Sequence, residues 1–165
     1  MKHILFEHIE KATLYIDKMN DDEFEQAIKQ LSKKQPILLD YLLAAPEEYG
    51  NESLEGYLLY YFWVITESYA QAGINTKTVT AEMIEKFEQP FEDMLADYFG
   101  AANDEEATER IEEFCDQPEL LKFMAIEVSN DDDDGSSMDD ETATQLYITC
   151  TAMIALLNES AGNNT

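Results

Sequence analysis

The sequence predicts a single all-α domain, a bundle or short array of seven to eight helices. Apolar residues recur every three or four positions, no stretch alternates cleanly between apolar and polar, and only six glycines and four prolines punctuate 165 residues. A chain of this length can bury roughly 70% of its unfolded surface. With 45% hydrophobic residues it has the material to do so.

The first helix is expected over residues 3–19, with Leu5, Ile9, Ala12, Ile16 and Met19 on one face. Asn20 or Asp21 can cap a second helix carrying Phe24, Ala27, Ile28 and Leu31. Pro36 suits the first position of a third helix, since its missing N–H would be unpaired there anyway; Pro46 ends it near Ala45. The fourth, about Glu52 to Ala72, is apolar over most of its circumference around Trp63, so it is expected at the centre, closed by Gly73. A fifth starts at Thr80, must kink or break at Pro90, and resumes to Phe99. The sixth runs from Asp104 to about Cys115 and the seventh from Pro118 to Val128. After an acidic loop, the eighth spans about Asp140 to Asn158. The domain is thus read as 1–158, with 159–165 a disordered tail.

Three segments resemble one another. Ile28-Lys-Gln-Leu31, Ile84-Glu-Lys-Phe87 and Ile111-Glu-Glu-Phe114 are followed by Gln35-Pro36, Gln89-Pro90 and Gln117-Pro118, and the first and third continue alike. Their spacings, 56 and then 27 residues, are irregular, which favours chance or shared capping chemistry over true repetition.

Charge narrows the partners. Thirty-six acidic residues face ten basic ones, and after Lys34 only Lys77, Lys86, Arg110 and Lys122 stand against the acids. Such a field repels phosphate backbones and anionic lipid, so neither nucleic acid nor membrane is an expected partner; a basic protein or a cation is. The opening residues hold no apolar run suited to a secretory signal, and nothing approaches the roughly 20 apolar residues of a membrane span, so a cytoplasmic location is expected. Cys115 and Cys150 lack metal-ligand spacing and read as buried thiols.

Catalytic signatures are missing from the sequence: the two histidines, His3 and His8, fall on different helical faces, and no phosphate loop, nucleophile elbow or zinc-protease motif occurs. A non-catalytic interaction protein engaging a basic partner is therefore expected, in the manner of an inhibitor, an immunity-type protein or an acidic chaperone. Tyr60 and Trp63, beside the main stripe of the fourth helix, are the candidate contact residues. An enzyme of unknown class is one alternative, and calcium binding is the other.

The calcium reading rests on the loop after the seventh helix. Asn130, Asp132 and Asp134, then Gly135 and Glu141, have the spacing of oxygen donors, turn glycine and bidentate glutamate in a calcium loop. The segment resembles an EF-hand, which implies Asn130, Asp132, Asp134, the Ser136 carbonyl and Glu141 as ligands. It departs from that pattern with Asn at the first position, Ser137 at the eighth and Met138 at the ninth. Oligomeric state is not legible in the sequence.

Overall fold

A computed structural model describes residues 2–130 and 138–162. Among them lie α1 (Phe6–Asp17), α2 (Asp21–Lys34), α3 (Pro36–Leu43), α4 (Ala45–Tyr49), α5 (Leu54–Gln71), α6 (Ala81–Phe99), α7 (Asp104–Phe114), α8 (Pro118–Ser129) and α9 (Asp140–Gly162). No described residue is in a strand. The all-α expectation holds.

Four details differ from the sequence reading. Residues 2–5 are not helical: Ile4 is fully buried and Leu5 is 43% exposed, so the apolar face begins one residue earlier, in extended chain. Pro46 starts α4 instead of merely ending α3, because an early helical position needs no N–H; Gly50, at φ 63°, closes that short helix. Pro90 lies inside an uninterrupted α6, at an exposed position where the carbonyl it leaves unpaired can meet water. Finally, α9 continues through Gly162, with Ser160 and Ala161 buried, so residues 159–162 belong to the helix and not to a tail. Residues 163–165 lie outside the described residues.

Two helices form the centre. α5 buries Leu54, Leu58, Phe62, Val64, Ile65 and Tyr69 around the expected Trp63, and it packs against α1 and α9. α9 is buried almost continuously from Gln145 to Asn158 despite its threonines. Each of these hydroxyls turns back onto its own helix: Thr149 donates to the Gln145 carbonyl and Thr151 to that of Tyr147, both at 2.8 Å. A hydroxyl satisfied within its helix can enter an apolar core without a desolvation penalty. No buried side-chain polar atom among the described residues lacks a partner.

An order of local features recurs along the chain, once in each half, although the packing does not repeat: α5 packs mainly on α1, whereas α9 packs mainly on α5 and α8. Each half opens with extended residues and a matching helix start, Glu7-His-Ile9-Glu10-Lys11 in α1 and Glu82-Met-Ile84-Glu85-Lys86 in α6. Each continues with an asparagine cap: Asn20 accepts from the Glu23 amide at 2.9 Å, and Asn103 from the Glu106 amide at 2.8 Å. Each then passes through a Gln-Pro step with a buried glutamine into α3 or α8, where Leu38-Leu39 and Leu120-Leu121 are buried, and ends in a long core helix. Short α4 has no described counterpart.

The Gln-Pro steps explain the resemblance noticed in the sequence. Gln35 and Gln117 are 1% and 0% exposed. Oε1 of Gln35 accepts from the Val79 amide at 2.8 Å and its Nε2 donates to the Lys77 carbonyl at 2.9 Å. Gln117 repeats the arrangement with the Ile4 amide at 2.8 Å and the Lys2 carbonyl at 3.1 Å. In each case the side-chain amide stands in for a neighbouring strand, pairing a carbonyl and the N–H two residues later. The clasps are reciprocal: the first half holds the opening segment of the second, and the second holds that of the first. Gln89-Pro90 is no third member, since Gln89 is exposed mid-helix and bonds only to Asp93, at 3.0 Å.

Candidate functional site: an acidic groove in the second half

Aligned on their caps and Gln-Pro steps, the two segments carry larger apolar residues in the first and alanines in the second. In the first half, Phe24, the fourth residue after the Asn20 cap, packs edge-on against Trp63 with ring centroids 5.0 Å apart. Tyr15 contacts the same indole at 6.5 Å. The equivalent position after the Asn103 cap is Ala107, and Leu43 of α3 corresponds to Ala125 of α8 when the Gln-Pro steps are aligned. Both alanines line a groove of about 650 Å³, a size typical of ligand clefts.

Four helices shape this groove. Tyr98 and Phe99 come from the end of α6, Asp104 and Ala107 from α7, Ala125 and Val128 from α8, and Asp140, Thr144 and Tyr147 from α9. Phe99 is 60% exposed. Among the described residues, no lysine or arginine lines the groove. Asp104 and Asp140 each sit in the first turn of a helix, where the unpaired backbone N–H groups favour a carboxylate. Burial, reinforced by Asp104, raises the Tyr98 hydroxyl above its ordinary pKa. Burial, with Tyr98, Cys115 and Glu112 adding to it, raises that of Tyr147 strongly. Both phenols therefore stay protonated and able to donate at neutral pH. The result is a groove of mixed lining that combines alanines, two neutral donors and two carboxylates.

The residues expected from the sequence lie elsewhere. Trp63 is 3% exposed under Tyr15 and Phe24, so it is a core residue and offers no contact surface. Tyr60 is half-buried against Tyr61, with its hydroxyl 3.4 Å from Asp17. Of the calcium-loop residues, Asp132, Asp134 and Ser136 fall outside the described residues. Asn130 closes α8, its amide donating to the Ile126 carbonyl at 3.0 Å. Glu141 lies in the first turn of α9 and accepts from Gln145 Nε2 at 3.2 Å. Asp139 caps that helix, accepting from the Thr142 amide at 2.7 Å, which holds its carboxyl below the usual range.

Other candidate groups serve the scaffold. Cys115 and Cys150 are buried free thiols, both pushed upward in pKa by that burial, and so unsuited to act as nucleophiles as they stand. His3 Nε2 is 2.8 Å from Asp116, and His8 Nδ1 accepts from the Leu5 amide at 2.9 Å, so both rings help fix the opening segment. No helix among the described residues is long and apolar enough to cross a membrane. The groove was missed in the sequence, yet a trace of it was there: aligning Gln35 with Gln117 sets Leu43 against Ala125, and aligning the asparagine caps sets Phe24 against Ala107. Compared with known proteins, the chain matches no family model, no curated protein and no solved structure.

Proposed function

We propose that this is a non-catalytic interaction protein whose acidic surface engages a basic protein. The supporting observation is the one-sided field. Of the few cations, Lys29, Lys86 and Arg110 already pair with Glu25, Glu82 and Glu106 four residues away, on their own helices. The remaining carboxylates far outnumber the seven remaining lysines, and the groove opens among them. A shield for the positive cleft of another protein, or a holder of a basic client, would use such a surface.

Complementary charge speeds encounter and makes binding fall steeply with ionic strength. The test is affinity capture on the immobilised protein from its native host, eluted with rising salt. A discrete basic protein released by salt, and rebinding when purified, is the expected result. If nothing basic elutes as salt increases, the charge serves solubility alone and the proposal fails.

A further inference from the structure

A smaller cavity lies where α3, α4, α6 and α9 meet. Tyr41, Ala45, Glu48, Tyr49, Phe91 and Ala152 are among the residues that line it, and its volume is about 70 Å³, room for one small group. We infer that it takes one alkylammonium head, the end of a lysine side chain carried by a basic partner protein. This deepens the interaction reading above and rests on it.

Three of the lining side chains are aromatic, and the face of such a ring attracts a cation. Phe91 is held by Phe87 and Phe114, with ring centroids 4.8 and 5.8 Å away. Tyr41 and Tyr49 join no ring pair among the described residues, and Tyr49 is 41% exposed, so its ring can be reached from solvent.

Charge points the same way. Glu48 is the only ionised side chain in the lining, and neither lysine nor arginine contributes to it among the described residues. Glu88 and Glu92 of α6 add to the field: burial first, then Glu88, Glu48, Tyr49 and Glu92 push the Tyr41 hydroxyl up to about 12. A potential that opposes the phenolate favours a cation in the same place. The rest of the wall suits methylenes. Ala45, Ile148 and Ala152 are buried, and Thr149 spends its hydroxyl on the Gln145 carbonyl at 2.8 Å. A lysine can lay its stem on such a wall while its charged end meets the carboxylate. A divalent ion fits less well, because it takes about six or more oxygens and a single carboxylate lines the cavity.

Chemical-shift titration of the isotope-labelled protein at low salt tests this with n-butylammonium, and with n-butanol as its neutral counterpart. Butylammonium is expected to shift the amide signals of Ala45, Glu48, Tyr49 and Thr149, and to bind about fivefold or more tightly than butanol. Glu48→Gln and Tyr49→Leu, both at exposed positions, should each weaken it about threefold or more. Glu10→Gln on α1 removes the same charge from an exposed residue that does not line the cavity, and should leave binding unchanged. A capped lysine tetrapeptide should shift the same signals, and its side-chain-acetylated form should not.

Equal binding of butylammonium and butanol overturns the inference, as do shifts centred elsewhere or an equal loss in Glu10→Gln. A cavity that takes butylammonium and refuses the lysine peptide overturns the assignment to a partner's side chain. Salt-sensitive capture of a basic protein, with no butylammonium entering this cavity, sinks this inference alone. If the peptide binds but no basic protein is captured, the interaction reading fails and takes the partner assignment with it.

Discussion

Replacing Gln117 by alanine should be among the most damaging single changes outside the apolar core. The amide makes three hydrogen bonds: from Ile4 N–H, to the Lys2 carbonyl and to Asn158 Oδ1, at 2.8, 3.1 and 3.0 Å. Asn158 keeps a second partner, the Tyr69 hydroxyl at 2.6 Å, so its loss is small. The Ile4 amide and the Lys2 carbonyl do not. An orphaned buried group costs about 1–3 kcal/mol, and the segment can escape that cost only by undocking. Undocking exposes Ile4, which is fully buried, at a cost of about 1.5–3 kcal/mol. Either route gives a loss of about 3 kcal/mol, a large part of an ordinary domain's stability. Denaturant titration followed by the fluorescence of Trp63, the single tryptophan, measures it. Hydrogen exchange at the Ile4 amide locates it. A loss below about 1 kcal/mol, with Ile4 still protected from exchange, would refute the view that the side-chain amide holds this segment.

Gln35→Ala, which removes only the two bonds to Lys77 and Val79, should cost about 2 kcal/mol. Because the two clasps share no partner, the double variant should be additive. Asn20→Ala and Asn103→Ala should each lower stability by about 1 kcal/mol in the same titration, the usual worth of such a cap. Cys115 and Cys150 should resist a disulfide-exchange reagent in the folded protein and react together on unfolding; fast labelling of either would contradict their burial. Alkali should unfold the protein. Burial first, then Glu88 beside Tyr41 and Asp17 beside Tyr60, push both hydroxyls up to about 12. A folded pKa above the unfolded one means this contribution is intact below about pH 10 and is lost as pH climbs from there towards the folded value. Melting temperature against pH should show that decline, and Tyr60→Phe should make it shallower.

Helical periodicity made most elements legible because amphipathic spacing is a local property. α5 could be placed at the centre because its apolar residues surround the cylinder. α9 could not be recognised as its equal. Thr142, Thr149 and Thr151 look like a polar face until their neighbours bury them, and for Thr149 and Thr151 the helix's own carbonyls satisfy the hydroxyls. The extended segment at Ile4 was misread as helix for a related reason: its hydrogen-bond partner is a side chain 113 residues away, beyond any local window. Trp63 drew attention as an aromatic beside the stripe, but the rings covering it come from α1 and α2. The groove is legible only as a difference between two halves, and the uneven gap lengths between matching features obscured that comparison.

The reciprocal clasps also set an order of events during synthesis. Gln35 waits only 44 residues for Val79, whereas Ile4 waits 113 for Gln117. At ribosomal speeds of about 5–20 residues per second, the first closure becomes available within several seconds and the second only after roughly ten. Until then the segment at Ile4 has no place to dock. A polypeptide interrupted before Gln117 therefore leaves Ile4 exposed, whereas one that extends beyond it can bury that side chain. Of the two clasps, the one that closes later holds the earlier segment, so a product truncated before Gln117 carries an undocked Ile4 as the mark of its truncation.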